Sequence, residues 1–192
     1  MILKLILFVF ICYLPVYLLL LFILKTKVRG YKINAHVVSL LATSDKPWKQ
    51  IFNISTILYG LVSFVLPVTL LTLFGINTLN LIGAFFLVMT GLATTLVGVF
   101  PMDGIVKIHE WVSYFVFSSA TVTGVVFVLI FHNIAVFPEL MTSLTYIVIC
   151  LALLLGLNSL FRKKTSSFFE WTTLIGTILW NFALSVSLFK LW

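Results

Sequence analysis

Long apolar runs separated by short polar segments make up most of this chain. Crossing the hydrocarbon core of a bilayer takes about 20 apolar residues in a helix. Six runs reach that length, at 2–24, 51–75, 79–100, 108–131, 140–160 and 168–189. The pattern therefore predicts an all-α fold, with residues 1–192 forming a single domain that is a transmembrane bundle of six helices.

Small and polar residues recur at helical spacing within three of these runs. In the second run they are Asn53, Thr56, Gly60, Ser63 and Pro67; in the third, Ala84, Gly91 and Gly98; in the sixth, Glu170, Thr173, Thr177, Asn181 and Ser185. Small and hydroxyl residues let helices pack closely and form hydrogen bonds with each other. They are also typical of a polar cavity or a headgroup pocket, because polar groups rarely face lipid. The pattern leaves both interpretations open.

The connections between the runs differ greatly in length. The first, 25–50, has apolar residues at 33, 37, 40 and 41, which predicts a short helix lying in the headgroup plane. Pro47 then breaks the chain before the second run, and Trp48 suits the membrane interface. The second connection, 76–78, is a tight turn, so we expect the second and third spans to form an antiparallel hairpin.

Composition and charge support a membrane protein. The chain is 62% hydrophobic and only 9% charged, whereas a soluble domain is about half apolar and about a quarter charged. The net charge of +7 does not indicate nucleic-acid binding, because all of the 12 Lys and Arg residues except Lys4 and Lys190 lie in three of the connections. The first, third and fifth connections hold Lys25, Lys27, Arg29, Lys32, Lys46, Lys49, Lys107, Arg162, Lys163 and Lys164.

This distribution predicts orientation. Cytoplasmic connections carry an excess of Lys and Arg, and the second and fourth connections carry none. We therefore expect a protein of the cytoplasmic (inner) membrane. Its odd connections would face the cytoplasm, and both termini would lie on the opposite, outer side of that membrane. The first span is expected to be retained rather than cleaved, because its apolar run is long and its charges follow it.

Ionisable residues cluster at the expected cytoplasmic face. Asp103 lies between the third and fourth spans, His109 and Glu110 lie at the start of the fourth, and His36 and Asp45 lie in the first connection. Three or four N, O or S donors suffice for zinc, so His36, His109 and Asp103 are candidate ligands. Catalytic candidates are Asp103 and His109, with Glu110 or Asp45 as a general base for a metal-bound water. The spacing matches no metal motif, and we predict no cofactor.

These residues also have structural interpretations. Asp103 is placed to cap the fourth span, and Glu110 to pair with Lys107. His109 is placed to bond the first connection. Separately, Lys46, Lys49, Trp48 and Asn53 are candidates for binding anionic lipid headgroups, since basic and aromatic residues gather at that interface.

Two stretches resemble a known family. The run from Asn34 to Gly60, with Pro47-Trp48 and Ile51-Phe52-Asn53, and the later Gly98-Val99-Phe100-Pro101-Met102-Asp103 with His109, are similar to DUF998. This is a group of small prokaryotic polytopic membrane proteins of unknown function. The resemblance covers roughly residues 30–130 and implies six helices in a prokaryotic membrane, but no activity. The positions it carries over are Asn53, Gly60, Gly98, Pro101, Asp103 and His109.

Three functions follow as hypotheses. The leading one is a non-enzymatic membrane protein that binds lipid or a small ligand, or is an accessory subunit, with membrane lipids as partners. A distant similarity to alkaline ceramidases and adiponectin receptors implies the alternative of a metal-dependent lipid hydrolase at the cytoplasmic leaflet. This chain departs from that group in having six expected spans rather than seven. A small transporter or channel is the third hypothesis, and the small-residue stripes also suit a homo-oligomer or larger membrane complex.

Overall fold

The computed structural model describes residues 1–43, 47–102, 104–134, 137, 139–160 and 166–192, the side chains of 159, 160 and 166 excepted. The α-helices in these ranges are α1 (Ile2–Lys27), α2 (Trp48–Val62), α3 (Val65–Phe74), α4 (Thr78–Val99), α5 (Val106–Asn133), α6 (Glu139–Leu160) and α7 (Ser166–Lys190). Six helical stretches are long and apolar enough to cross a membrane, α2 and α3 together forming the second. The all-α fold and its six expected spans are confirmed, with ends shifted by a few residues.

A proline divides the second span. Pro67 has no N–H with which to reach the carbonyl of Ser63, so the regular helical bond is lost there. The Leu66 amide instead donates to Ser63 O over 3.0 Å, which tightens the chain between α2 and α3. Pro15 lies inside α1, and that helix continues through it.

The six spans pack as a ring in chain order. Each span contacts the next, and α7 closes the ring against α1. Because the number of spans is even, both termini lie at one end, where the Lys4 ammonium is 4.9 Å from the centre of the Phe189 ring. We call this the terminal end. The opposite end, which carries residues 28–43 and Pro47 (loop 1), is the loop-1 end.

The turn between α3 and α4 is built by asparagines. Gly75 ends α3 with a φ of +75°, a conformation that favours glycine. The Asn77 side chain then accepts the Asn80 amide over 2.8 Å and caps α4. The side chain of Asn80 donates back to the carbonyls of Phe74 and Gly75. The expected tight turn and hairpin are confirmed.

Glycines hold α2 against α4. A methyl group at Gly60 would overlap Thr95 and come within 2.6 Å of the Gly91 carbonyl oxygen. One at Gly98 would lie 2.7 Å from the Asn53 carbonyl oxygen. These two helices therefore touch along their backbones, which is the helix-packing interpretation of the small-residue stripes.

Loop 1 does not form the α-helix that the sequence predicts in the headgroup plane. Its ordered element is a 3₁₀ helix, Val38–Thr43, rather than an α-helix beginning near 33. Val38, Leu41 and Ala42 are buried in the hydrophobic core. The apolar residues of the loop therefore pack on the bundle and not on lipid, because the core offers them a protein surface to cover.

Candidate functional site

The start of α7 holds loop 1 in place. The Trp171 indole N–H donates to the Tyr31 hydroxyl over 2.8 Å. That hydroxyl in turn reaches the carbonyls of His36 and Val37, at 3.1 and 3.0 Å. Burial raises the pKa of Tyr31, and the nearby Glu170 charge adds to the effect, so the phenol stays a donor. These bonds bring the 3₁₀ helix over the bundle.

The Glu170 carboxylate makes a second link between α7 and loop 1. Glu170 Oε1 accepts the Val38 amide over 3.0 Å. Val38 is the first residue of the 3₁₀ helix, and its amide has no partner within that helix. Glu170 therefore binds the start of this helix from the neighbouring span.

Two cavities meet at this point. The inner cavity, of about 100 Å³, lies inside the ring, and its polar lining includes Tyr17, Thr56, Tyr59, Thr94, Thr177 and Asn181. The outer pocket, of about 570 Å³, opens at the loop-1 end, where polar residues face apolar ones of α6. Ser39, Ser113, Phe117 and Glu170 line both. The four residues therefore form the boundary between the two spaces.

The threonine hydroxyls of the inner cavity donate to carbonyls of their own helices. Thr56 donates to Phe52 O over 2.9 Å, and Thr177 donates to Thr173 O over 2.8 Å. Such back-bonding removes most of the cost of placing a hydroxyl within a membrane span. The cavity interpretation of the polar stripes therefore holds alongside the packing interpretation, each for different residues.

Tyrosines extend this network across the ring. The Tyr17 and Thr56 hydroxyls are 3.2 Å apart, and Tyr17 is the donor because Thr56 already donates to its own helix. The Asn181 amide donates to the Tyr59 hydroxyl over 2.7 Å. Three spans, α1, α2 and α7, are thus joined by side-chain bonds beside the inner cavity.

His109 joins the ends of α4 and α5. It is only 3% exposed, and its Nδ1 lies 2.6 Å from the carbonyl oxygen of Phe100. A carbonyl only accepts, so Nδ1 carries a proton, and in the neutral imidazole Nε2 then accepts from the Ser113 hydroxyl, 3.4 Å away. The partner of His109 is therefore the end of α4, not the first connection.

The other ionisable candidates do not converge on His109. His36 Nδ1 accepts the Lys32 amide within a turn of loop 1, and Glu110 is exposed at the mouth of the outer pocket. No group of three His, Cys, Asp or Glu side chains with metal-binding geometry occurs among the described residues. Asp103, Asp45 and Lys46 lie outside those residues, and Glu110 shows no ion pair with Lys107 within them.

The candidates for headgroup binding lie at the start of α2. Trp48 is half-buried, with the Lys27 ammonium 5.0 Å from its ring centre. Lys49 is half-buried as well. Asn53 turns inward, and its side-chain oxygen is buried without a hydrogen-bond partner among the described residues.

We expect His109→Leu to lower the free energy of unfolding by about 1–3 kcal/mol, because the carbonyl of Phe100 loses its buried donor. Chemical unfolding in detergent, followed by circular dichroism, measures this. His132→Leu is the control: His132 is exposed at the terminal end, so we expect a change within about 0.5 kcal/mol. A His109→Leu protein of unchanged stability that lost bound zinc or lipid hydrolysis would contradict the structural role and favour the hydrolase hypothesis.

The sequence pattern does not single out as a site the residues that line both cavities or those that hold loop 1. Glu170 was visible as the first member of the polar stripe in the last span. Tyr31 and Trp171 carried no such signal, since their contact joins positions 140 residues apart. Their importance follows from how loop 1 packs.

A comparison with protein families identifies a match for this chain. No curated protein and no solved structure matches this chain. A family model described as "Protein of unknown function (DUF998)" matches residues 11–187. The match extends well beyond the 30–130 expected from sequence motifs and takes in α7. This six-span helical membrane protein therefore belongs to the DUF998 family.

Proposed function

We propose that this chain is a non-enzymatic membrane protein that binds a small amphipathic ligand, of lipid type, in the outer pocket. The observation that carries the proposal is the outer pocket itself, which has a volume of about 570 Å³ and shares four lining residues with the inner cavity. Ligand sites in proteins are commonly clefts of about 300–1,000 Å³ with apolar walls and a few placed polar groups.

The lining suits a molecule with two chemically different ends. On one side the pocket has Ala152, Leu155 and Gly156 of α6, which offer apolar surface and open space. Near the boundary with the inner cavity it has Ser39, Ser113 and Glu170. An acyl or alkyl chain would lie along α6, and a polar head would reach the hydroxyls and the carboxylate.

Orientation and surface charge fit the same proposal. The excess of basic residues in the odd connections supports placing the loop-1 end on the cytoplasmic side of the cell membrane. The cations of loop 1, with Trp48, would hold anionic headgroups at that surface. The outer pocket would then open at the inner leaflet, from which a lipid can enter it.

We expect Gly156→Phe to reduce the amount of co-purified lipid about tenfold or more, because an aromatic ring would occupy the pocket. A Cβ at Gly156 meets nothing within 4 Å, so the new side chain leaves the helix into open space. Native mass spectrometry of the detergent-purified protein measures the lipid bound to each molecule.

Leu153→Phe is the matched control for this experiment. It adds the same ring to α6 on an exposed position outside the pocket lining, so bound lipid is expected to stay at the wild-type level. Equal lipid on wild type and Gly156→Phe would reject the outer pocket as the binding site.

A further inference from the structure

We propose that the polar head of the ligand is a protonated amine, seated against Glu170 where the outer pocket meets the inner cavity. This inference rests on the proposed function and names the chemical class of the ligand. It follows from the hydrogen bonds of the pocket lining. Most lining hydroxyls already donate to acceptors within the protein, which leaves their lone pairs for a ligand.

The hydroxyls of the outer pocket have used their protons within the protein. Thr121 donates to Phe117 O over 2.7 Å, and Ser118 donates to Phe115 O over 3.2 Å. Ser39 points its proton at the sulfur of Met102, 3.5 Å away. A hydroxyl that has donated its proton still has lone pairs. These residues therefore offer acceptors to a ligand.

His109 and Ser113 also donate their protons within the protein. The Nδ1 proton of His109 goes to the Phe100 carbonyl, and the Ser113 proton goes to Nε2 of His109. Ser113 is thus left with its lone pairs. Tyr114 is the one lining hydroxyl for which the described residues supply no acceptor. The pocket as a whole is rich in acceptors.

Two glutamates contribute carboxyl oxygens to this lining. Glu110 lies at the exposed mouth, and Glu170 lies at the boundary with the inner cavity. Glu170 uses Oε1 for the Val38 amide, and the described lining of both cavities contains no Lys or Arg. A carboxylate in a membrane bundle is stabilised by a cation. A ligand ammonium would supply one.

An ammonium group matches this lining better than a metal ion or an anion does. It has three donors and no acceptor, which complements hydroxyl and carboxylate lone pairs. A divalent cation such as Ca²⁺ takes six or more oxygen ligands, and no metal-binding group of three side chains occurs in the described parts of the chain. An anionic head would face the two glutamates.

The first experiment compares decylamine with decanol, which share an apolar chain and differ in the head. Wild-type protein in phosphatidylcholine nanodiscs is titrated with each, and the shift of the unfolding temperature gives an apparent Kd. We expect decylamine to bind about tenfold more tightly or better, as a charge-assisted hydrogen bond would give. Equal apparent Kd values for the two probes would overturn the inference.

Glu170→Gln tests whether Glu170 is the residue that binds the amine. Glutamine keeps a carbonyl oxygen that accepts the Val38 amide, so loop 1 keeps its link to α7 while the charge is lost. We expect the preference for decylamine to disappear in this variant. Glu139→Gln, the same change at the exposed terminal end, is expected to keep it. A Glu170→Gln protein with the full preference would reject Glu170 as the amine site.

The outcomes separate the two proposals and the source of the amine. If neither probe binds and Gly156→Phe retains its lipid, the proposed function fails with this inference. If both probes bind equally, only the inference fails. Native mass spectrometry after exchange into phosphatidylethanolamine tells a membrane source from a soluble one: retention of that lipid supports a headgroup amine, and decylamine binding without retention supports a free amine.

Discussion

Gly60→Val is expected to lower the free energy of unfolding by about 3 kcal/mol, near the upper end for overpacking in a well-packed core. The backbones of α2 and α4 are in contact here, so the new side chain has no space. Its Cβ would overlap Thr95 and lie 2.6 Å from the Gly91 carbonyl oxygen. A side chain can rotate away from a clash, but Gly91 O and Thr95 N are backbone atoms, so the helices themselves would have to separate.

Unfolding in mixed micelles of SDS and a non-ionic detergent measures this effect. Gly156→Val is the matched control, since it makes the same change inside a helix where a Cβ meets nothing within 4 Å. We expect the control to stay within about 1 kcal/mol of wild type, because valine loses less backbone freedom than glycine and touches no backbone. Equal losses in both variants would contradict close packing of α2 on α4.

The spans could be predicted because crossing a membrane is a local property of sequence. A run of about 20 apolar residues has few alternatives to a helix when lipid is the solvent. The turn after α3 could be predicted for a related reason. The hydrogen bonds of Gly75, Asn77 and Asn80 join residues that are only a few positions apart in the chain.

The candidate site could be predicted only in part. The stripe from Glu170 to Ser185 indicated a polar face on α7, and Thr177 and Asn181 do line the inner cavity. The position of Glu170 at a boundary depends on loop 1, through a bond between residues 132 apart. Helical periodicity holds no information about such a contact.

His109 shows why an ionisable cluster in sequence is weak guidance to chemistry. Its neighbours in the chain suggested metal ligation or catalysis. Its Nδ1 instead faces the end of α4, where the last carbonyls of a helix lack amide partners. A histidine near the start of the next helix satisfies one of them. The hairpin geometry that makes this bond appears only after the two helices pack.

The link between α7 and loop 1 leads to the second large effect. We expect Trp171→Ala to cost about 3–5 kcal/mol, since this side chain is only 1% exposed and its removal leaves a large cavity. It would also remove the indole N–H that Tyr31 accepts. Loop 1 would then lose its tie to the bundle, and hydrogen exchange of residues 31–43 is expected to speed up more than that of α4.

Trp111→Ala is the matched control, because Trp111 is 75% exposed on α5 and has little packing to lose. Tyr31→Phe tests the attachment of the loop without removing core packing. It keeps the ring but deletes the hydroxyl that accepts from Trp171 and donates to the carbonyls of loop 1. Faster exchange in 31–43 is expected in this variant too, with the unfolding free energy lowered by only about 1–2 kcal/mol. If loop 1 exchanges at the wild-type rate in both Trp171→Ala and Tyr31→Phe, these bonds do not hold it. Because Ser39 of this loop lines both cavities, the loop's attachment to α7 also sets the boundary between them.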